Sequence, residues 1–180
     1  MRSVTLITTG GTMEKTYDET SGSLQNRHSI VHKMVRRLRL QDTLVNVVEL
    51  MHKDSLHMDD ADRKRIVETV RAVGGDWDLP TESDGIVILH GTDTLEVTGR
   101  ALHAAIEKPR IPIVLTGAMR PFEMTRSDAL QNLTEAIFAA GVLSPGVYAV
   151  AHGRALAFPG VRKDRASGTF VRDGAPAGKA

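Results

Sequence analysis

Val4-Thr5-Leu6-Ile7-Thr8-Thr9-Gly10-Gly11-Thr12 decides the architecture. The run up to Thr9 is short, rich in β-branched residues, apolar on both faces and closed by two glycines. It therefore reads as a strand buried from both sides. Gly85-Ile86-Val87-Ile88-Leu89 and Pro112-Ile113-Val114-Leu115 have the same character, and Leu44–Leu50 and Gly146–Val150 complete a set of five. Between them lie helical patterns. Ile30, Met34 and Leu38 recur every four residues after Ser29, which reads as an N-cap. Asp59 or Asp60 caps a helix carrying Ile66, Val67, Val70 and Val73, and Gly74-Gly75 stops it. Leu95–Ile106 and Ser127–Ala140 are the third and fourth helices, Pro109 marking the end of the third. Doubly buried strands alternating with helices predict an α/β fold, a doubly wound, mainly parallel sheet with helices on both faces.

The connecting polar segments are read from the same rows. Glu14–Arg27 lacks periodicity and reads as a mobile loop. Beyond Val150 the chain is short of apolar residues. Residues 1–173 are expected to form the α/β domain and 174–180 a flexible tail. Trp77, beside Pro80, is expected to plug a packing gap, and His28 and His32 to be solvated.

Composition removes whole classes of function. In 180 residues, 23 Lys+Arg against 22 Asp+Glu leave a net charge of +1, without the excess of base a nucleic-acid binder uses against phosphates. The absence of cysteine removes disulfides, thiolate metal sites and a cysteine nucleophile. No apolar run approaches the roughly 20 residues of a membrane helix, and no signal peptide is visible. The expectation is a cytoplasmic protein that binds neither nucleic acid nor membrane and carries no cofactor or metal.

Small residues, hydroxyls and carboxylates collect where strands give way to helices: Thr9-Gly10-Gly11-Thr12, Asp54-Ser55, His90-Gly91-Thr92-Asp93-Thr94 and Thr116-Gly117-Ala118-Met119-Arg120. In a parallel sheet these ends share one rim, where ligands of open α/β sheets bind. Each segment alone is an ordinary turn; four together describe a site. Neither the GxGxxG nor the GxxxxGK[ST] phosphate pattern is present, nor GxSxG. The remaining nucleophile is a threonine or serine hydroxyl, which needs a base: Asp93, Glu14 or a lysine.

These segments resemble the bacterial-type L-asparaginase (asparaginase/glutaminase) family. Thr9-Gly10-Gly11-Thr12-Met13 resembles its first signature, with Met13 in place of the usual isoleucine. His90-Gly91-Thr92-Asp93-Thr94-Leu95-Glu96 resembles the second. Thr116–Pro121 with Ser127-Asp128-Ala129 and Asn132-Leu133 forms a third block, and Asp54-Ser55-Leu56-His57-Met58 a fourth. The resemblance implies a side-chain amide hydrolase acting on L-asparagine through an acyl-enzyme. Thr12 resembles the nucleophile and Tyr17 the residue that activates it as the loop closes. Thr92, Asp93 and Lys163 resemble a second triad. Gly11 and Ala118 lend backbone contacts, Ser55 holds the α-carboxylate and Asp93 also faces the α-ammonium. It further implies a homo-oligomer (dimer or tetramer); the chain departs from the family in ending soon after the fifth strand and reads as a short form without the family's smaller C-terminal domain, or as a truncation. The alternatives are a non-catalytic amino-acid-binding or regulatory domain and the asparaginase-like subunit of a tRNA-dependent amidotransferase. Arg120 is expected to pair with Asp128 or Glu123.

Overall fold

A computed structural model describes residues 1–78 and 81–175. Its centre is a six-stranded sheet built from β1 (Arg2–Gly10), β4 (Thr43–Lys53), β5 (Gly85–Leu89), β6 (Pro112–Thr116), β7 (Gly146–Ala151) and β8 (Arg154–Ala157). The order across the sheet is β4-β1-β5-β6-β7-β8, with the first five parallel and β8 antiparallel to β7. Numbered along the chain, the five parallel strands are therefore ordered 2-1-3-4-5. The winding reverses between β1 and β5, and that is where such a sheet opens a crevice at its carboxyl rim.

Strand alternation sends neighbouring side chains into separate cores. Ile86 and Ile88 of β5 join Ile66, Val70, Leu95 and Leu102 on the face covered by α2 (Asp60–Ala72) and α3 (Leu95–Ala105). Val87 and Leu89 join Val31, Met34, Leu133 and Ile137 on the face covered by α1 (Val31–Val35) and α4 (Ala129–Ala140). The doubly wound α/β expectation therefore holds. Asp59 caps α2 through a reciprocal box: its carboxylate accepts from the Asp62 amide at 2.9 Å and its own amide donates to Asp62 at 3.2 Å.

Several local expectations need correction. The helix after Ser29 is only α1, five residues long. Beyond Val35 the chain tightens into i→i+3 turns, Arg37 N–H to Met34 and Leu38 N–H to Val35, both at 3.0 Å, which still bring Leu38 against the core. Its N-cap is Ile30; the Ser29 hydroxyl accepts from the Val31 amide one residue earlier. The segment read as a loop holds a hairpin, β2 (Thr16–Asp18) with β3 (Ser23–Gln25). It is organised by the Asp18 carboxylate, which accepts from Ser21 Oγ at 2.6 Å, from the Thr20 amide at 3.2 Å and from the Arg27 guanidinium. Polar bonds of this kind leave no trace in apolar periodicity.

The apolar-poor region after β7 is also ordered into β8 and a second hairpin, β9 (Val161–Asp164) with β10 (Thr169–Arg172), which buries Phe158, Val161, Phe170 and Val171. Trp77 is 64% exposed and plugs nothing. Pro80 and residues 176–180 of the expected tail lie outside the described residues. His28 and His32 are exposed, as expected.

Candidate active site

The rim between β1 and β5 is packed main chain against main chain. Gly10 and Gly11 turn the end of β1 with positive φ (98° and 82°), conformations that glycine adopts freely. The Gly11 amide donates to the Lys53 carbonyl at the end of β4, at 3.0 Å. A Cβ on Gly11 would collide with the backbone of Gly91, and one on Gly91 with the Ser55 side chain. A Cβ on Gly117 would meet the His90 carbonyl and, at 3.0 Å, the Thr92 methyl. The four segments that the sequence separates by scores of residues therefore touch, and Thr12, Ser55, Thr92 and Ala118 each belong to or adjoin these contacts.

Thr12 opens a 3-10 turn, Thr12–Glu14, and is half-buried. Its side-chain oxygen makes no hydrogen bond among the described residues. Ser55 begins another 3-10 turn, Ser55–His57, after β4. The residue is 1% exposed and its hydroxyl is buried without a partner, an unmet bond that a ligand oxygen would satisfy. Thr94 Oγ1 donates to the Ser55 carbonyl at 2.9 Å, tying this turn to the β5 rim. Beside it, Lys15 donates to Asp54 at 2.7 Å and holds that carboxyl below its usual range.

Lys163, on β9, reaches back to the same rim. Its Nζ donates to Thr92 Oγ1 at 2.7 Å and to Asp93 Oδ1 at 3.0 Å, while its amide donates to Glu96 at 2.7 Å. Arg165, whose side chain is largely exposed, pairs with the same Asp93 oxygen at 3.1 Å. The family resemblance, not the residues alone, points to Lys163 for this place, and neither gives Arg165 a role on Asp93.

Two titratable groups are set by burial. His90 is fully buried, and desolvation lowers its pKa to about 4 even though Gly91 stabilises its proton. The neutral ring has one N–H. Nδ1 faces the Gly91 carbonyl at 2.8 Å and must donate, so Nε2 accepts from Thr98 Oγ1 at 2.8 Å. This tautomer pins Gly91. Glu14 is 1% exposed, and desolvation lifts its pKa to about 7 against a bond from Ser29 and backbone bonds at Gly10 and Ile30. Ser29 takes Oε1, Oε2 is buried without a hydrogen-bond partner among the described residues, and no bond joins the carboxyl to Thr12.

The sign for Glu14 follows directly. The unfolded chain loses this proton near 4.5 and the folded one near 7, so stability falls as pH rises through that window. The span corresponds to on the order of 3 kcal/mol. Thermal melts of Glu14→Gln, which keeps an acceptor for Ser29 and cannot ionise, should show a variant that gains on the parent between pH 5 and pH 8. An unchanged difference across that range rejects this account.

Tyr17 stands apart. It is 59% exposed on β2, and no hydrogen bond joins its phenol to Thr12. Its amide donates to Glu123 at 3.2 Å. Nor does the Arg120 guanidinium pair with Asp128 or Glu123. Asp128 instead accepts the backbone amides of Met119 (2.9 Å) and Arg120 (3.0 Å), a role the side-chain types alone do not suggest. Among the described residues no group of three or more His, Asp or Glu could hold a metal ion, and no helix is long and apolar enough to cross a membrane.

Comparison with known proteins converges on one family. The family model "Asparaginase, N-terminal" matches residues 3–172. Among curated proteins, L-asparaginase 1 of Escherichia coli K12 is 33% identical over 144 residues, covering 77% of this chain and 40% of that protein. A glutamyl-tRNA(Gln) amidotransferase subunit of Methanobrevibacter smithii is 32% identical over 139 residues, 77% of this chain and 31% of that protein. Among solved structures, the thermostable L-asparaginase from Thermococcus kodakarensis superposes with a TM-score of 0.83 at 29% identity, covering 97% of this chain and 52% of the other. The chain thus spans about half the length of that structure and less than half of the two curated relatives.

Proposed function

The chain belongs to the asparaginase family, and from that premise we propose that it is an amidohydrolase that converts L-asparagine to L-aspartate and ammonia. The observation that carries the reading is the Lys163 ammonium bonded at once to Thr92 and Asp93 beside the Gly10–Thr12 turn. Thr12 Oγ attacks the side-chain carboxamide; the Lys163 ammonium gives a proton by way of Thr92 to the departing nitrogen, and the Thr12 proton restores it. The C–N bond breaks, ammonia leaves and an ester to Thr12 remains. Water then cleaves that ester, returning the proton to Thr12. The Ala118 backbone faces the developing oxyanion, and Gly11, whose own amide is held by the Lys53 carbonyl, lets the substrate approach the turn where no side chain intervenes. The unpaired Ser55 hydroxyl receives the α-carboxylate, and Asp93, held by Lys163 and Arg165, receives the α-ammonium. Tyr17 acts only after its hairpin swings inward over Thr12. The working form is a cytoplasmic homo-oligomer, dimer or tetramer, as the family resemblance implies.

A second reading has its own support, the 32% identity to a component of an amidotransferase. There the same chemistry would depend on a partner. A third, a non-catalytic amino-acid-binding domain, would retain ligand affinity alone. One assay separates them: ammonia release by the purified chain from L-asparagine, L-glutamine and D-asparagine, alongside calorimetric titration with L-asparagine. Turnover of L-asparagine by the chain alone is the expected result. Binding without turnover would favour the binding domain. Turnover that appears only when a partner protein and charged tRNA are added would favour the amidotransferase reading.

A further inference from the structure

β7 and β8 are joined by a two-residue turn, His152-Gly153, in which both residues have positive φ (53° and 74°), the backbone of a tight hairpin. A histidine in that conformation is uncommon, and this one makes bonds in two directions. Nε2 lies 2.8 Å from Asp128 Oδ2, and Nδ1 lies 2.8 Å from Thr169 Oγ1. Its amide donates to Asn132 Oδ1 at 3.0 Å. None of these groups has a place in the hydrolytic steps proposed above.

Each direction ends on a different wall of the rim. Asp128 holds the amides of Met119 and Arg120, and the fully buried Asn132 donates to the Gly117 carbonyl at 2.8 Å. Together they fix the loop that carries Ala118. Thr169 starts β10, in which the next residue, Phe170, pairs with Lys163 on β9. We propose that His152 is a positioning residue: a strut that keeps the Ala118 loop and the Lys163 hairpin in mutual register. It rests on the reading above, because register matters only if Ala118 and Lys163 act on one substrate.

The proton arrangement supports a strut. Burial alone would raise Asp128, but bonds from His152 and the two amides hold its pKa at about 2, so it is an ionised acceptor. Nε2 therefore carries a proton. With a neutral ring, Nδ1 accepts from the Thr169 hydroxyl; with a charged ring that hydroxyl turns and accepts instead. The link closes in either state, as a mechanical tie requires. Glu135, which accepts the Gly153 amide at 2.8 Å, braces the same turn from α4.

The test compares the full chain with His152→Asn, whose asparagine tolerates positive φ but is too short to span both partners, and with the near-isosteric Thr169→Val. Amide hydrogen exchange is followed over residues 117–121 and 161–172, and kcat and KM are measured well below each melting temperature. In His152→Asn both segments should exchange faster by about fivefold or more. Its kcat should fall about tenfold, with KM moving less than about threefold. Thr169→Val should loosen only 161–172, and it carries the test should His152→Asn fail to fold. Faster exchange confined to 151–154, or a kcat loss no larger than the loss of folded protein, overturns the strut. If the parent chain releases no ammonia from any amide, the functional reading fails separately and the exchange pattern alone decides this one.

Discussion

On the proposed reading, Thr12→Ala should abolish ammonia release from L-asparagine while leaving the fold intact. A drop in kcat of about 10³-fold or more is expected, the scale on which an acyl-transfer enzyme loses its nucleophile. The structure gives two reasons to expect separation of activity from stability. The Thr12 hydroxyl makes no hydrogen bond among the described residues, so removing it leaves no buried partner stranded. The residue is half-buried at the start of a 3-10 turn whose bonds, Glu14 N–H to Gly11 and Lys15 N–H to Thr12, are backbone bonds that alanine keeps. The melting temperature should therefore shift little. Turnover unaltered by the substitution would move the nucleophile to Thr92 and reassign the role of the whole Gly10–Thr12 turn.

Lys163→Met should be nearly as damaging, lowering kcat by about 10² to 10⁴-fold, the range for a positioned proton-transfer group. Methionine fills the same volume without a donor. It leaves Thr92 Oγ1 without its 2.7 Å partner and leaves Asp93 with Arg165 alone. Lys163→Arg is the informative companion. Arginine preserves the positive charge beside Asp93 but does not give up a proton in proteins. If Lys163 relays protons, both variants are crippled alike; if it supplies only a fixed charge, arginine restores most of the rate. Steady-state assays of the two variants with L-asparagine distinguish these outcomes.

The fold is legible in the sequence because its strands advertise themselves. β5 and β6 are buried from end to end, and only a strand covered on both faces has that composition. The rim is legible for a related reason: in a parallel sheet, strand ends must share an edge, so the order of elements alone places Gly11, Ser55, Thr92 and Ala118 together. The features that escape such a reading are held by polar side chains and by turns. Asp18 builds a hairpin from serine, threonine and arginine, and no apolar pattern records it. Asn132 is visible as a polar residue beside Leu133, yet its partner, Gly117, is 15 residues away and its second contact, His152, 20 residues away. Tryptophan is large and apolar and invites the expectation of packing, but Trp77, between α2 and β5, stays 64% exposed. α1 has the spacing of a longer helix, and the same spacing is met by tighter i→i+3 turns that still bring Leu38 against the core.

The glycines at 11, 91 and 117 bear on how this scaffold can be changed. Because neighbouring strand ends meet there through bare backbone, even alanine demands that the walls of the cleft move apart. A mutagenesis library meant to reshape this cleft gains nothing from diversifying these three codons, since nearly every member would lose the cleft itself. Diversity is better placed at Arg165, whose largely exposed side chain reaches Asp93 from outside and can be exchanged without prying the sheet open.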